Sequence, residues 1–284
     1  MAFGTEVSPQ GGGRATFYGR LIVAAVAFMT PAAAQVEVAE PQRIERPATS
    51  GPAQMSALCD APVKEIATPA PLPRLVEALE QKRPIKALAI GSSSTVGVGS
   101  SSPNRNYPNQ LMSLLKKSFD GLDVTMINKG VSGEVAAATA ERIRSLVALD
   151  RPTLVLWQVG TNDALARVPV EDFSETMRST LRWLKANEID VVLVGLQYTP
   201  KVVKDDHYRA IRDALRQIAD EEQVLHVRRY AAMEFLERVK GATLLAQDEL
   251  HLNDSGYRCM AEHVAHSMVV SSFLKVKRRK TLTQ

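Results

Sequence analysis

What this 284-residue chain has little of narrows the field first. No apolar run reaches the ~20 residues needed to cross a bilayer, which argues against a membrane bundle. The glycine-rich stretch from Gly91 to Gly99 has no Gly-Lys-Ser/Thr ending and no lysine to reach a phosphate, so it does not read as a phosphate cradle. Histidines are few, and His207, His226, His263 and His266 show no metal-ligand spacing; neither a metal nor a cofactor is expected. The formal charge of +4 is concentrated in a tail of Lys275, Lys277, Arg278, Arg279 and Lys280. Without that tail the chain is close to neutral, so its body is not a nucleic-acid surface. A solvated terminal charge run is the plain account of the tail, and contact with anionic lipid heads or acidic polysaccharide is the alternative.

Only two cysteines occur, Cys59 and Cys259. In an oxidising compartment they can pair and tie the front of the domain to its last helix; two buried free thiols are the alternative. Such a compartment is expected from the N-terminal region. There Arg14 and Arg20 precede the apolar run from Leu21 to Met29, and Ala32-Ala33-Ala34 offers a small-residue cleavage site. Residues 1–34 therefore read as a secretory signal, and a periplasmic or secreted product is expected. Residues 35–57, rich in Pro, Glu, Ala and Ser, read as a flexible linker. A domain over 58–274 and the basic tail over 275–284 complete the division.

Within the domain, 45% hydrophobic and 23% charged residues are ordinary for a globular fold. Strands are expected over 86–90, 124–128, 153–158, 190–197 and 224–227. Helices are expected over 72–81, 107–119, 135–148, 170–187, 205–221, 230–239 and 255–273. Leu154-Val155-Leu156-Trp157 and Val191-Val192-Leu193-Val194 are continuously apolar, as parallel strands covered on both faces must be. Trp157 accordingly reads as core. Strands alternating with amphipathic helices give an α/β fold, a three-layer αβα sandwich on a doubly wound, mostly parallel five-stranded sheet. Ligands bind such sheets in the crevice beyond the carboxyl ends of the strands.

Three polar stretches follow strand ends there: Gly91 to Thr95, Lys129 to Gly133, and Gly160 to Asp163. The first carries Ser92, Ser93 and Ser94. A serine hydroxyl is a poor nucleophile until a base accepts its proton and a third group holds that base in the right tautomer. Asp248 and His251, three residues apart near the chain end, fit those two roles. Gly133 can offer an unobstructed backbone N–H and Asn162 a side-chain amide to a developing oxyanion. Blander readings are a turn glycine, an asparagine bonding its own backbone, and a capping or surface histidine. Asp254 or Ser255 is the expected N-cap of the last helix. The loop from Ser100 to Asn106 and the segment from Gln197 to Pro200 either line the crevice or serve as ordinary connections.

These four stretches, in this order, resemble the SGNH (GDSL-type) hydrolases, across about 87–264. The resemblance implies a flavodoxin-like SGNH fold with Ser93 as nucleophile and His251 as general base and then acid, oriented by Asp248. It implies an oxyanion hole built from the Ser93 and Gly133 N–H groups and the Asn162 amide. One position departs: the family's Gly-Asp-Ser reads Gly91-Ser92-Ser93, which leaves Ser94 and Ser92 as alternative registers. Exported bacterial members with a Gly-Ser-Ser-Ser variant and a cysteine in the last helix look most like this chain. The implied activity is a serine esterase acting on a small-molecule or carbohydrate ester, an acetyl group on envelope or extracellular carbohydrate above all. The same site can serve an O-acyltransferase, a lysophospholipase or a thioesterase. A catalytically silent carbohydrate-binding or envelope protein of the same fold is the rival that Ser92 suggests.

Overall fold

A computed structural model describes residues 55–274. The signal over 1–34, the linker apart from its last three residues and the basic tail lie outside the described residues. In chain order the elements are α1 (Val63–Ile66), β1 (Ala67–Thr68), α2 (Pro73–Glu80), β2 (Ile85–Gly91), α3 (Ser93–Val96), α4 (Tyr107–Ser118), β3 (Val124–Gly130) and α5 (Ala136–Asp150). They continue with β4 (Leu154–Gln158), α6 (Thr161–Leu165), α7 (Val170–Ala186), β5 (Asp190–Val194), α8 (Asp206–Glu221), β6 (Leu225–Val227), α9 (Arg229–Lys240) and α10 (Asp254–Ser272). Among the described residues no helix is long and apolar enough to cross a membrane.

The sheet runs β1-β6-β5-β4-β2-β3. All neighbours pair in parallel except β1, which pairs antiparallel with β6 through Ala67 and Thr68. The expected five strands therefore gain a sixth, a two-residue edge too short to leave a periodic signal. The parallel part has the flavodoxin-like order, with chain direction reversing between β2 and β4, and in open sheets of this kind ligands bind beyond the strand ends at such a switch point. β4 and β5 are buried along their whole length, as their unbroken apolar sequence requires. Trp157 is fully buried in β4.

Helices cover both faces. α10 packs on α4 and reaches α2 and β6 on one side, while α5, α7 and α8 pack in series on the other. The apolar edges of α7 and α8 bury Phe173, Met177, Leu181 and Leu184, and Ile211, Leu215 and Ile218, at the spacing that fixes a 3.6-residue period. The expected strand over 190–197 is shorter and ends at Val194; at the next residue, Gly195, a side chain would meet the His226 ring. Cys59 and Cys259 are joined through their sulfurs, linking the segment before α1 to α10. The cap of α10 is Asn253, whose side chain accepts from the Gly256 N–H, rather than Asp254 or Ser255. Asp254 is drawn instead to Ser101.

Candidate active site

β2 ends on Gly91 at φ +148°, with a Cβ position only 2.4 Å from the Gln158 carbonyl oxygen. Glycine alone lets the ends of β2 and β4 close up this far before the chain turns into α3. The three serines that follow are chemically alike and differently committed. Ser92 donates both its N–H and its hydroxyl to Gln158 Oε1, at 2.9 and 3.0 Å. Ser94 accepts from Arg229 Nη1 at 3.0 Å and donates to Gln197 Oε1 at 3.3 Å. Both are 4% exposed. Ser93 is half-buried, and its hydroxyl and N–H have no hydrogen-bond partner among the described residues.

β3 brings the second loop alongside. Gly130 passes within 2.5 Å, from its Cβ position, of the Val96 N, and Asn128 Nδ2 donates to the Thr95 carbonyl at 2.7 Å. Beyond it, Gly133 stands at φ +78° in open space, its N–H likewise unpaired among the described residues. Asn162 on α6 donates one amide N–H to the Glu134 carbonyl at 2.9 Å, which leaves the other for a ligand. Its neighbour Asp163 accepts from the Ala136 N–H at 2.8 Å, and burial raises that carboxyl above its usual pKa. Arg142 holds the Glu134 carboxylate at 2.7 Å and the Lys129 carbonyl at 2.7 Å. The Gly133 loop and Asn162 are thus fixed to each other.

Asp248 and His251 occupy an irregular turn closed by a bridge between Leu245 and Leu252. Asp248 Oδ1 accepts the N–H groups of Leu250 and His251 at 3.0 and 2.9 Å, and His251 Nδ1 donates to Oδ2 at 2.5 Å. The His251 bond first, and the two backbone donors next, lower the Asp248 pKa to about 2, so the carboxylate stays charged across the neutral range. With Nδ1 donating, Nε2 is the acceptor of the neutral ring.

This turn lies against the loop that follows Ser93. Gly99, at φ +90°, has a Cβ position 2.5 Å from the Leu252 carbonyl oxygen and 3.2 Å from His251 Cβ. Tyr257 donates its hydroxyl to the Val98 carbonyl at 2.6 Å, and Ser101 donates its N–H and hydroxyl to Asp254 at 2.8 and 2.6 Å. From the other side Thr199 donates to the Glu249 carbonyl at 2.8 Å and Lys201 to the Asp248 carbonyl at 3.0 Å. The segments around Ser101 and Thr199 therefore brace the histidine turn.

Sequence reasoning missed Gln158, Asp163 and Arg229. A polar residue closing an otherwise apolar strand marks Gln158, and Asp163 sits beside a residue already singled out. Nothing in Arg228-Arg229 shows which arginine turns inward. Among the described residues no group of three His, Cys, Asp or Glu side chains could hold a metal ion.

The family model for the non-GDSL lipase-like family matches residues 58–272. Esterase TesA of Pseudomonas aeruginosa is 29% identical over 91 residues, 31% of this chain and 45% of that protein; the match thus spans less than half of its length. An arylesterase of Vibrio mimicus is 26% identical over 185 residues, 65% of this chain and 88% of that protein. Among solved structures, a two-domain esterase active on acetylated mannans superposes with TM-score 0.62 at 20% identity, over 75% of this chain and 57% of that one.

Proposed function

The chain belongs to the non-GDSL lipase-like family, and from that membership together with the geometry above we propose that it is a serine ester hydrolase working through an acyl-enzyme. The observation that carries this reading is the bond from His251 Nδ1 to Asp248 Oδ2, on a turn packed against the loop that follows Ser93, whose hydroxyl, unlike those of Ser92 and Ser94, has no partner among the described residues. Ser93 Oγ attacks the ester carbonyl while His251 Nε2 takes its proton. The tetrahedral oxyanion receives hydrogen bonds from the N–H groups of Ser93 and Gly133 and from Asn162 Nδ2. As the C–O bond to the alcohol breaks, His251 returns the proton to the leaving oxygen. Water, deprotonated by the same imidazole, then attacks the acyl-serine and frees the acid and Ser93.

The substrate in this reading is a small acyl ester on envelope or extracellular carbohydrate, with the protein exported and cleaved after residue 34. The fold shared with the mannan-active esterase and the expected compartment support it; transfer of the acyl group to a sugar in place of water uses the same groups. A second reading, longer acyl chains on lipid or thioester, is favoured by Val96, Val131 and Leu165. All three are exposed, and each lies within three residues of Ser93, Gly133 or Asn162.

The test is p-nitrophenyl acetate turnover by the wild type and Ser93→Ala, with a serine-directed phosphonate and mass spectrometry to locate the adduct. The expected result is an adduct on Ser93 and loss of nearly all turnover in the variant, with ~1,000-fold over water left to the oxyanion hole and binding. Absence of both turnover and adduct overturns the reading, and an adduct on Ser92 or Ser94 moves the nucleophile. Rates that rise along an acyl-length series select the second substrate class.

A further inference from the structure

Arg229 opens α9 directly after β6, is 2% exposed, and forms no ion pair with a carboxylate among the described residues. Its Nη1 donates to Ser94 Oγ at 3.0 Å and its Nη2 to Thr161 Oγ1 at 3.2 Å. Ser94 adjoins Ser93 and Thr161 adjoins Asn162, so one guanidinium reaches the neighbours of both groups that meet the ester. Gln197 closes the ring, because its Oε1 accepts from Ser94 Oγ at 3.3 Å and its N–H donates to Thr161 Oγ1 at 3.0 Å. The Tyr208 hydroxyl in turn fixes the Gln197 carbonyl at 2.5 Å.

We propose that Arg229 is a positioning residue for acyl transfer: its buried, unneutralised guanidinium sets the spacing between the nucleophile loop and the oxyanion loop and keeps a positive charge beneath them. The proposal rests on the reading of Ser93 and Asn162 given above. Its physical basis is the cost of the arrangement. A buried cation without a counter-charge destabilises a fold, and an apolar side chain of similar length is a better occupant for stability alone. Burial lowers the Arg229 pKa to about 10, with only the phenols of Tyr208, Tyr257 and Tyr107 opposing that shift, so the charge is present at neutral pH. What it supplies is geometry and field at the place where negative charge develops, and a displacement of ~1 Å between reacting groups costs on the order of 100-fold in rate.

The experiment compares Arg229→Met, Arg229→Lys and Thr161→Val with wild type, by steady-state kinetics on p-nitrophenyl acetate and by thermal melting. Arg229→Met is expected to melt no lower than wild type and to lose ~10- to 100-fold in kcat with KM within ~3-fold, since the lost contacts act on the reacting geometry. Arg229→Lys keeps the charge without the two-pronged bridge and is expected to recover part of that loss. Thr161→Val removes one acceptor without moving the arginine, so it tests the bridge even if Arg229→Met does not fold; a ~10-fold fall in kcat is expected. Unchanged kcat in Thr161→Val, or a loss in the arginine variants that tracks the fraction unfolded, overturns the proposal. Ser93→Ala measured alongside separates the failures: if it stays active, the nucleophile assignment has failed, and if it alone is inactive, only the role of Arg229 has.

Discussion

Three adjacent serines of one residue type differ in hydrogen-bond commitment, and the proposed choice of nucleophile rests on that difference. Ser92 and Ser94 spend their hydroxyls on Gln158 and Gln197, and of the three Ser93 alone has a hydroxyl without a partner among the described residues, which is why the proposed mechanism gives it the attack. Ser92, at the position where the GDSL-type motif has aspartate, is held beneath the proposed nucleophile, where Gln158 Oε1 gathers the Ser92 N–H and hydroxyl with the Thr95 hydroxyl. The same logic assigns Asn162 a divided role. One amide N–H fastens the Glu134 carbonyl, a neutral bond worth about 1 kcal/mol, and the other is the donor to the oxyanion in the proposed mechanism, where such a donor is worth roughly 100- to 1,000-fold in rate. Asn162→Ala should thus lower kcat by about 100-fold or more while lowering Tm by only ~2–4 °C. Kinetics and melting on the same preparation check it: a loss of activity no larger than the loss of folded protein would leave Asn162 a structural residue.

At the scale of elements, Asp190 ties the start of β5 to α2 by accepting the Leu75 N–H at 2.8 Å. It is 6% exposed, and burial raises its pKa to about 6 against the opposing pull of the Leu75 and Arg74 N–H groups and the Arg74 charge. The native state therefore holds a proton there that the unfolded chain releases near pH 4. Stability from this group is full below pH ~4 and lost as pH rises through about 6, the reverse of an ion-paired carboxylate. Asp190→Asn keeps an acceptor for Leu75 and removes the charge, so it should raise stability at pH 7–8 by on the order of 1–2 kcal/mol and have little effect at pH 4. Urea titrations at the two pH values decide it, and equal shifts at both would refute a buried titrating group.

The same elements mark what could be read from sequence. α4, α7 and α8 lie within a residue or two of expectation because an apolar period sustained over three or more turns is hard to imitate. α3 and α6, of four and five residues, escaped because they are too short to establish a period. They carry Ser93 and Asn162 just past the ends of β2 and β4. β1 escaped because an antiparallel edge of two residues has no pattern. The order of Ser93, Gly133 and Asn162 after successive strands, with Asp248 and His251 before the last helix, was legible. The braces, Thr199 on Glu249, Ser101 on Asp254 and Arg229 under Ser94, were not, since each depends on which distant segment the fold brings near.

Over the whole molecule, the two ends of the described domain are closed on each other. The Cys59–Cys259 link spans 200 residues, Ser56 donates to the Glu262 carboxylate at 2.7 and 2.9 Å, and His263 Nε2 donates to the Cys59 carbonyl at 2.6 Å. All three reach α10, whose N-terminal side carries the His251 turn. In the chain-entropy account a loop of this length contributes up to about 5 kcal/mol, and measured gains are more often about 2–4 kcal/mol. For a domain of this size that corresponds to roughly 5–15 °C in Tm. Catalysis should not follow stability here, because the histidine turn has its own supports in the Leu245–Leu252 bridge, the Asn253 cap and the Ser101–Asp254 pair. The double variant Cys59→Ala/Cys259→Ala is therefore expected to melt lower by that amount and to keep kcat within ~2-fold of wild type at 25 °C, well below its transition. Melting curves with and without dithiothreitol supply the control, since the reductant should lower the wild-type Tm and leave the variant unmoved. A variant that melts like wild type would show that the other contacts of α10 hold the chain ends without the covalent link.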